Sequence, residues 1–180
     1  MKRLLALLPL LVLAGGCAAI PMNDAKVVAS VPADKVVVTF IRPVIMIGEA
    51  IPLYLWDSDH FIGVLGSGTM VQYETSPGEH LFLGQSENWT YASGSLQAGK
   101  RYLVKANMFP GFTMRAAFAS MPATDSRIPQ WYEDFRPKVA PEDRRVEYEA
   151  ENLADAQAAI QDFRGGAVKS FAQILPGDAH

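Results

Sequence analysis

Cysteine is almost missing from this sequence: Cys17 is the single one in 180 residues. That excludes an intrachain disulfide and any multi-cysteine zinc site. Basic clusters are also lacking beyond Lys2 and Arg3, and the net charge is −3. The electrostatic footprint of a nucleic-acid binder is therefore missing. Histidine is scarce, with only His60, His80 and the terminal His180. The apolar core of the N-terminal stretch, Leu4 to Leu13, has ten residues, whereas a membrane-spanning helix takes about twenty. What is present is a globular composition, 49% hydrophobic and 19% charged. It suits one domain preceded by an address segment.

That address segment is read from the first nineteen residues. Lys2 and Arg3 form a positive start, the ten-residue apolar run follows, and Ala14, Gly15 and Gly16 stand directly before Cys17. The order is that of a secretory signal peptide. The stretch "LAGGC" resembles the lipobox of bacterial lipoproteins, although Leu13 sits four places before the cysteine rather than three. The resemblance implies cleavage before Cys17 and acylation of that residue, so that membrane attachment runs through Cys17. Ala18, in place of aspartate, implies sorting to the outer membrane, facing the periplasm. Cleavage removes Lys2 and Arg3 and takes the net charge to −5. The alternative is an ordinary signal cut after Gly16 or Ala19, leaving a soluble periplasmic protein.

Residues 17–34 are small, polar and interrupted by Pro21 and Pro32, which predicts a flexible tether. A strand-rich body is expected over 35–121. "KVVVTFIR" (35–42) is apolar on both faces and predicts a central strand. "IPLYLWD" (51–57) alternates, with Ile51, Leu53 and Leu55 on one face and Tyr54 and Trp56 on the other. "HFIGVLG" (60–66) carries Gly63, expected at a bulge or a close backbone approach. "MVQYET" and "EHLFLGQ" flank the turn "SPG" at 76–78. "YASGSL", "KRYLVKANM" and "GFTMRAAFAS" complete the set, the last two turning Tyr102, Val104, Ala106, Phe112, Met114, Ala116 and Phe118 inward. Short strands punctuated by turns predict a mainly β fold: a small antiparallel β-sandwich or partly open barrel with C-terminal α-helices.

Three segments, "VVVTFIRP", "IPLYLWDSDHFIGVL" and "MVQYETSPGEHLFLG", together resemble a family of bacterial envelope lipoproteins with a compact β-domain of unknown function. The shared features are Arg42-Pro43, the "IGVL" at 62–65 and the turn Pro77-Gly78-Glu79-His80. The resemblance covers about residues 35–106 and implies no activity and no catalytic residue.

Residues 122–180 read as a proline-rich crossing followed by helices. An extended crossing with one short helical turn is expected over "PATDSRIPQWYEDFRPKVAP" (122–141). Pro141, Glu142 and Asp143 predict a helix start, and Gly165-Gly166 its end. The stripe expected to face the body is Val146, Ala150, Leu153, Gln157, Ile160 and Arg164. Val168, Phe171, Ala172 and Leu175 predict a second short amphipathic segment. These helices are expected to cap the sheet, with docking of an envelope partner as the alternative.

Chemistry-bearing patterns are few. Asp57, Asp59 and His60 are three potential metal ligands in four positions, but neighbouring strand residues face opposite ways. The segment is read as the polar turn of a hairpin, and neither a metal nor a cofactor is expected. "LGSGT" (65–69) does not match the Gly-x-Ser-x-Gly elbow. Trp89 and Tyr91 in a polar loop, and Trp131 and Tyr132 in the crossing, are the candidate contacts for an envelope protein or glycan partner. The expected function is a lipid-anchored, non-enzymatic binding or structural module. The competing expectation is an envelope hydrolase using a carboxylate site, for which a pocket joining two carboxylates, or a carboxylate and His60 or His80, with strongly shifted pKa values would be the sign.

Overall fold

A computed structural model describes residues 20–46, 48–110 and 114–180; Cys17 and the whole proposed signal lie outside the described residues. The strands are β1 (Asn23–Asp24), β2 (Val36–Arg42), β3 (Leu53–Asp57), β4 (His60–Leu65), β5 (Thr69–Thr75), β6 (Gly78–Gln85), β7 (Trp89–Leu96), β8 (Lys100–Phe109), β9 (Arg115–Met121), β10 (Arg136–Val139) and β11 (Ala172–Ile174). Helix α1 (Ile128–Asp134) precedes β10, and α2 (Glu142–Arg164) follows it.

They form two sheets, ordered β1-β10-β5-β2-β8-β9 and β11-β7-β6-β3-β4. Every residue of β2 is buried, because it lies inside the first sheet between β5 and β8 and is covered on both faces. Val36, Val38 and Phe40 point between the sheets with Leu53, Leu55, Phe82 and Val104. The Phe40 and Phe82 rings meet edge to face across that gap, 5.3 Å apart. On the opposite face of β2, Ile41 joins Leu103, Met121 and Ile128 under α1. Outside the second sheet, Trp56, Phe61 and Leu83 pack against Ala156, Ala159 and Ile160 of α2. The architecture is thus a β-sandwich with a helix on each outer face.

Most neighbouring strands are antiparallel, as expected, but the sheets are mixed. β2 runs parallel to β8, β10 to β5, and β11 to β7. The chain crosses between the sheets after β2, β4, β5, β7 and β10, so strands far apart in sequence meet in the same direction. The expected bulge is present: the β3–β4 register shifts between Leu55 and Trp56, opposite Gly63 and Phe61. Gly63 has φ 153°, and a Cβ there would lie 3.1 Å from Met22 Cε.

Three expectations are corrected. The segment read as a tether is laid on the body from Ile20 onward. Ile20 is 6% exposed, Asn23 and Asp24 pair with β10, and Val28 N–H donates to Gln72 Oε1 at 2.7 Å. These contacts fix the segment at intervals, while most of residues 21–34 stay exposed. The buried face of α2 is rotated from the predicted stripe: Val146 is exposed, whereas Tyr148, Ala156, Ala159 and Phe163 face the sheet. The small side chains of Ala156 and Ala159 let the helix approach the sheet closely. The second amphipathic segment is strand β11 with a short 3-10 turn at Pro176–Asp178, because the edge of β7 offers a backbone ladder to pair with.

Candidate functional site

The tip of the β3–β4 hairpin carries the polar cluster that stood out in the sequence. Ser58 turns the chain with φ 53°, and its N–H donates to Leu81 O at 2.7 Å. Asp57 ends β3 buried, one strand from His80 on β6. Its Oδ2 lies 2.8 Å from His80 Nδ1, and His80 Nε2 lies 2.9 Å from Ser76 O. Both ring nitrogens therefore face acceptors, an arrangement that only the doubly protonated imidazolium satisfies. The Asp57 hydrogen bond accordingly raises the His80 pKa, against the opposing effect of burial. Burial, reinforced by the charge of Asp57, pushes Tyr73 up to about 12.

His60 belongs to a second network. Its Nδ1 lies 3.0 Å from Glu149 Oε2. Glu149 also accepts Phe61 N–H at 2.8 Å, while Arg145 Nη1 donates to Phe61 O at 3.3 Å. Arg145 further holds Glu142 at 2.6 Å and Glu149 at 3.0 Å. One acid and one base of α2 thus satisfy both main-chain groups of Phe61 on edge strand β4. The three candidate ligands separate: Asp57 turns to His80, His60 turns to α2, and Asp59 lines a groove of about 360 Å³ with Gln157, Gln161 and Arg164. Among the described residues no three His, Cys, Asp or Glu side chains gather in a metal-holding group.

The four aromatic candidates also divide. Tyr91 is buried and stacks on Phe163 with centroids 5.5 Å apart. Trp131 and Tyr132 lie on α1, over the other sheet. The Arg127 guanidinium sits 4.9 Å above Trp131, and the Tyr132 hydroxyl lies 3.0 Å from Thr39 Oγ1. These three plug the faces of the sandwich and do not converge with Trp89.

Trp89 opens β7 and is half-buried. It lines a second groove, of about 370 Å³, with Phe109, Arg115 and Ser170. The groove floor is fixed by side chains that imitate a strand. Asn88 Oδ1 accepts Ala116 N–H at 2.7 Å, its Nδ2 donates to Ala116 O at 3.1 Å, and Thr90 Oγ1 accepts Phe118 N–H at 2.9 Å. Those bonds lock β9 of one sheet to β7 of the other. Phe109 and Arg115 are register partners at the β8–β9 end, and both are exposed. Sequence reasoning missed them, since their only signal was proximity to the turn at Pro110. Comparison with family models, curated proteins and solved structures gives no match to this chain.

Proposed function

We propose that this chain is an exported envelope protein, acylated at Cys17 and facing the periplasm from the outer membrane, whose sandwich is a non-catalytic binding module. The sequence supports the anchoring half of that reading through "LAGGC", through Ala18, and through the likeness of residues 35–106 to envelope lipoproteins. The observation that carries the binding half is the Trp89 groove. Two aromatic side chains, one cation and a hydroxyl surround an open, rigid-floored cleft. Aromatic faces beside polar donors suit sugar rings, and a guanidinium pairs well with a carboxylate. An acidic envelope glycan is the partner this chemistry fits.

The test titrates the mature chain in detergent with a uronic-acid oligosaccharide and with its neutral counterpart, following tryptophan fluorescence. Saturable binding of the acidic probe is expected, abolished by Trp89→Ala and weakened about tenfold by Arg115→Ala. Absence of saturation with both probes overturns the glycan assignment. Anchoring is tested separately: palmitate-analogue label retained by Cys17→Ser would refute the lipoprotein reading.

The hydrolase alternative has two observations in its favour, the Asp57–His80 and Glu149–His60 pairs. Against it, Ser76 O occupies the second ring nitrogen of His80, which leaves that ring no free site to take a proton from water, and the Arg145 guanidinium stands 3.2 Å from His60 Nε2.

A further inference from the structure

We propose that the groove between the β3–β4 hairpin tip and the last turns of α2 binds a short peptide as a zwitterion, with its terminal ammonium on Asp59 and its terminal carboxylate on Arg164. This site is separate from the Trp89 groove. Trp89 pairs with Gln85, which stands opposite Tyr54 near the start of β3, whereas the tip follows Asp57 at the other end of that strand.

Both walls of the groove are fixed from below. At the tip, Asp57 turns inward to His80 and Ser58 N–H donates to Leu81 O, while Asp59 stays exposed. On α2, Ile160 is buried with Trp56, Phe61 and Leu83. Gln157, Gln161 and Arg164 recur at steps of four and three, so they share one helix face, and they line the groove with Ile160. Gln157 and Arg164 belong to the stripe expected from the sequence to face the body. Both are exposed and edge the contact that Ile160 makes.

The chemistry of the occupant follows from what these side chains lack. Charges in the first half of α2 are paired, Arg144 with Glu147 and Arg145 with both Glu142 and Glu149. Among the described residues, Asp59 and Arg164 have no ion pair, and the side chains of Ser58, Gln157 and Gln161 have no hydrogen-bond partner. A carboxylate on one wall and a guanidinium on the other disfavour polyanions and polycations alike, since each meets a like charge. A neutral sugar leaves both charges without a counterpart and finds no aromatic face on which to stack. A molecule with an ammonium at one end and a carboxylate at the other pairs both. Between those ends, each glutamine amide offers donors and an acceptor, matching the N–H and C=O of a peptide unit. From Gln157 to Arg164 the helix rises about 10 Å, and an extended chain covers about 3.3–3.6 Å per residue. About three residues therefore fit. Ile160 is the one apolar side chain lining the groove of about 360 Å³, which favours small side chains on the peptide.

Trialanine is the probe, titrated calorimetrically into the full chain in detergent, with N-acetyl-trialanine and trialanine amide as its blocked counterparts. Saturable binding with a Kd of about 1 mM or tighter is expected for trialanine, and about fivefold weaker binding for each blocked form. The side-chain amide resonances of Gln157 and Gln161 should shift on binding. Asp59→Asn should abolish the difference between free and acetylated peptide, and Arg164→Gln the difference between free and amidated peptide. Both side chains are exposed, so each variant is expected to keep the parent's urea midpoint. No saturation by trialanine overturns the proposal, as does binding without a shift at either glutamine. Binding that neither block nor either variant alters overturns it as well. Loss of trialanine binding in Trp89→Ala overturns it by placing the peptide in the other groove.

Discussion

Replacing Arg42 with methionine tests how one end of the sandwich is held together. Arg42 closes β2 with no exposed surface. Its Nη1 donates to Ile51 O and to Leu65 O, the latter at 3.3 Å, and its Nη2 donates to Gly48 O at 2.5 Å. Three main-chain carbonyls from one loop and a strand thus converge on one guanidinium. Burial depresses its pKa, with the charge of Glu49 opposing, yet a guanidinium stays protonated at any working pH. Hydrogen bonds to a charged donor contribute about 1.5–3 kcal/mol each, so three give roughly 4–9 kcal/mol before the cost of taking the cation out of water. That cost is several kcal/mol, and methionine removes it along with the bonds. The carbonyls left behind are not so easily satisfied, each at about 1–3 kcal/mol. The expected net loss for Arg42→Met is about 3–5 kcal/mol, the range seen when one partner of a buried charged contact is deleted. At a urea dependence of about 2 kcal/mol per molar, the midpoint falls by roughly 2 M. Arg42→Lys, with its donors on one atom, spans fewer of the three directions and loses about half as much. A midpoint for Arg42→Met within about 0.3 M of the parent at unchanged slope would refute the view that this end depends on the guanidinium.

Stability should also depend on His80. Its folded pKa is raised, so the Asp57–His80–Ser76 contacts contribute fully below the ordinary histidine value near 6.5 and fade as pH rises through the raised value. Urea midpoints between pH 5 and 9 should fall on the alkaline side, and His80→Gln should flatten that fall; an unchanged profile counts against the imidazolium assignment. Gly94→Val should detach β11, because a Cβ at 94 would lie 2.8 Å from Ile174 Cβ, with the Ile174 carbonyl also in the way. A loss of about 1–3 kcal/mol is expected, with hydrogen-exchange protection lost over 172–174. Intact protection there would show that β11 yields without cost.

The strands of the body were legible because their physics is local. "VVVTFIR" reads as doubly covered, and it is; "LYLWD" alternates, and its two faces separate into two cores. Gly63 marked the bulge for the same reason. Parallel pairing was not legible, since β2 and β8 meet only after the chain has visited the other sheet twice. The face of α2 was misread because alanines at 156 and 159 signal close approach, not hydrophobic weight. Of the candidate site, Trp89 was legible as an aromatic in a polar setting, but Arg115 and Phe109 join it through register alone. Tyr91, Trp131 and Tyr132 looked alike in sequence and differ only in what folds over them.

The polar residues of the hairpin gain a different meaning once the sheet edges are traced. An open strand edge is a template for pairing with another chain. Edge strand β4 is closed at Phe61 by Glu149 and Arg145 and at Val64 by Met22. Edge strand β9 is closed at Ala116 and Phe118 by Asn88 and Thr90. The outer strands β1 and β11 are two and three residues long, too short to guide an incoming strand. Strand addition, a common route by which β-domains take partners, is thus hindered at these positions. Recognition at these positions falls to side-chain surfaces, of which the Trp89 groove is one.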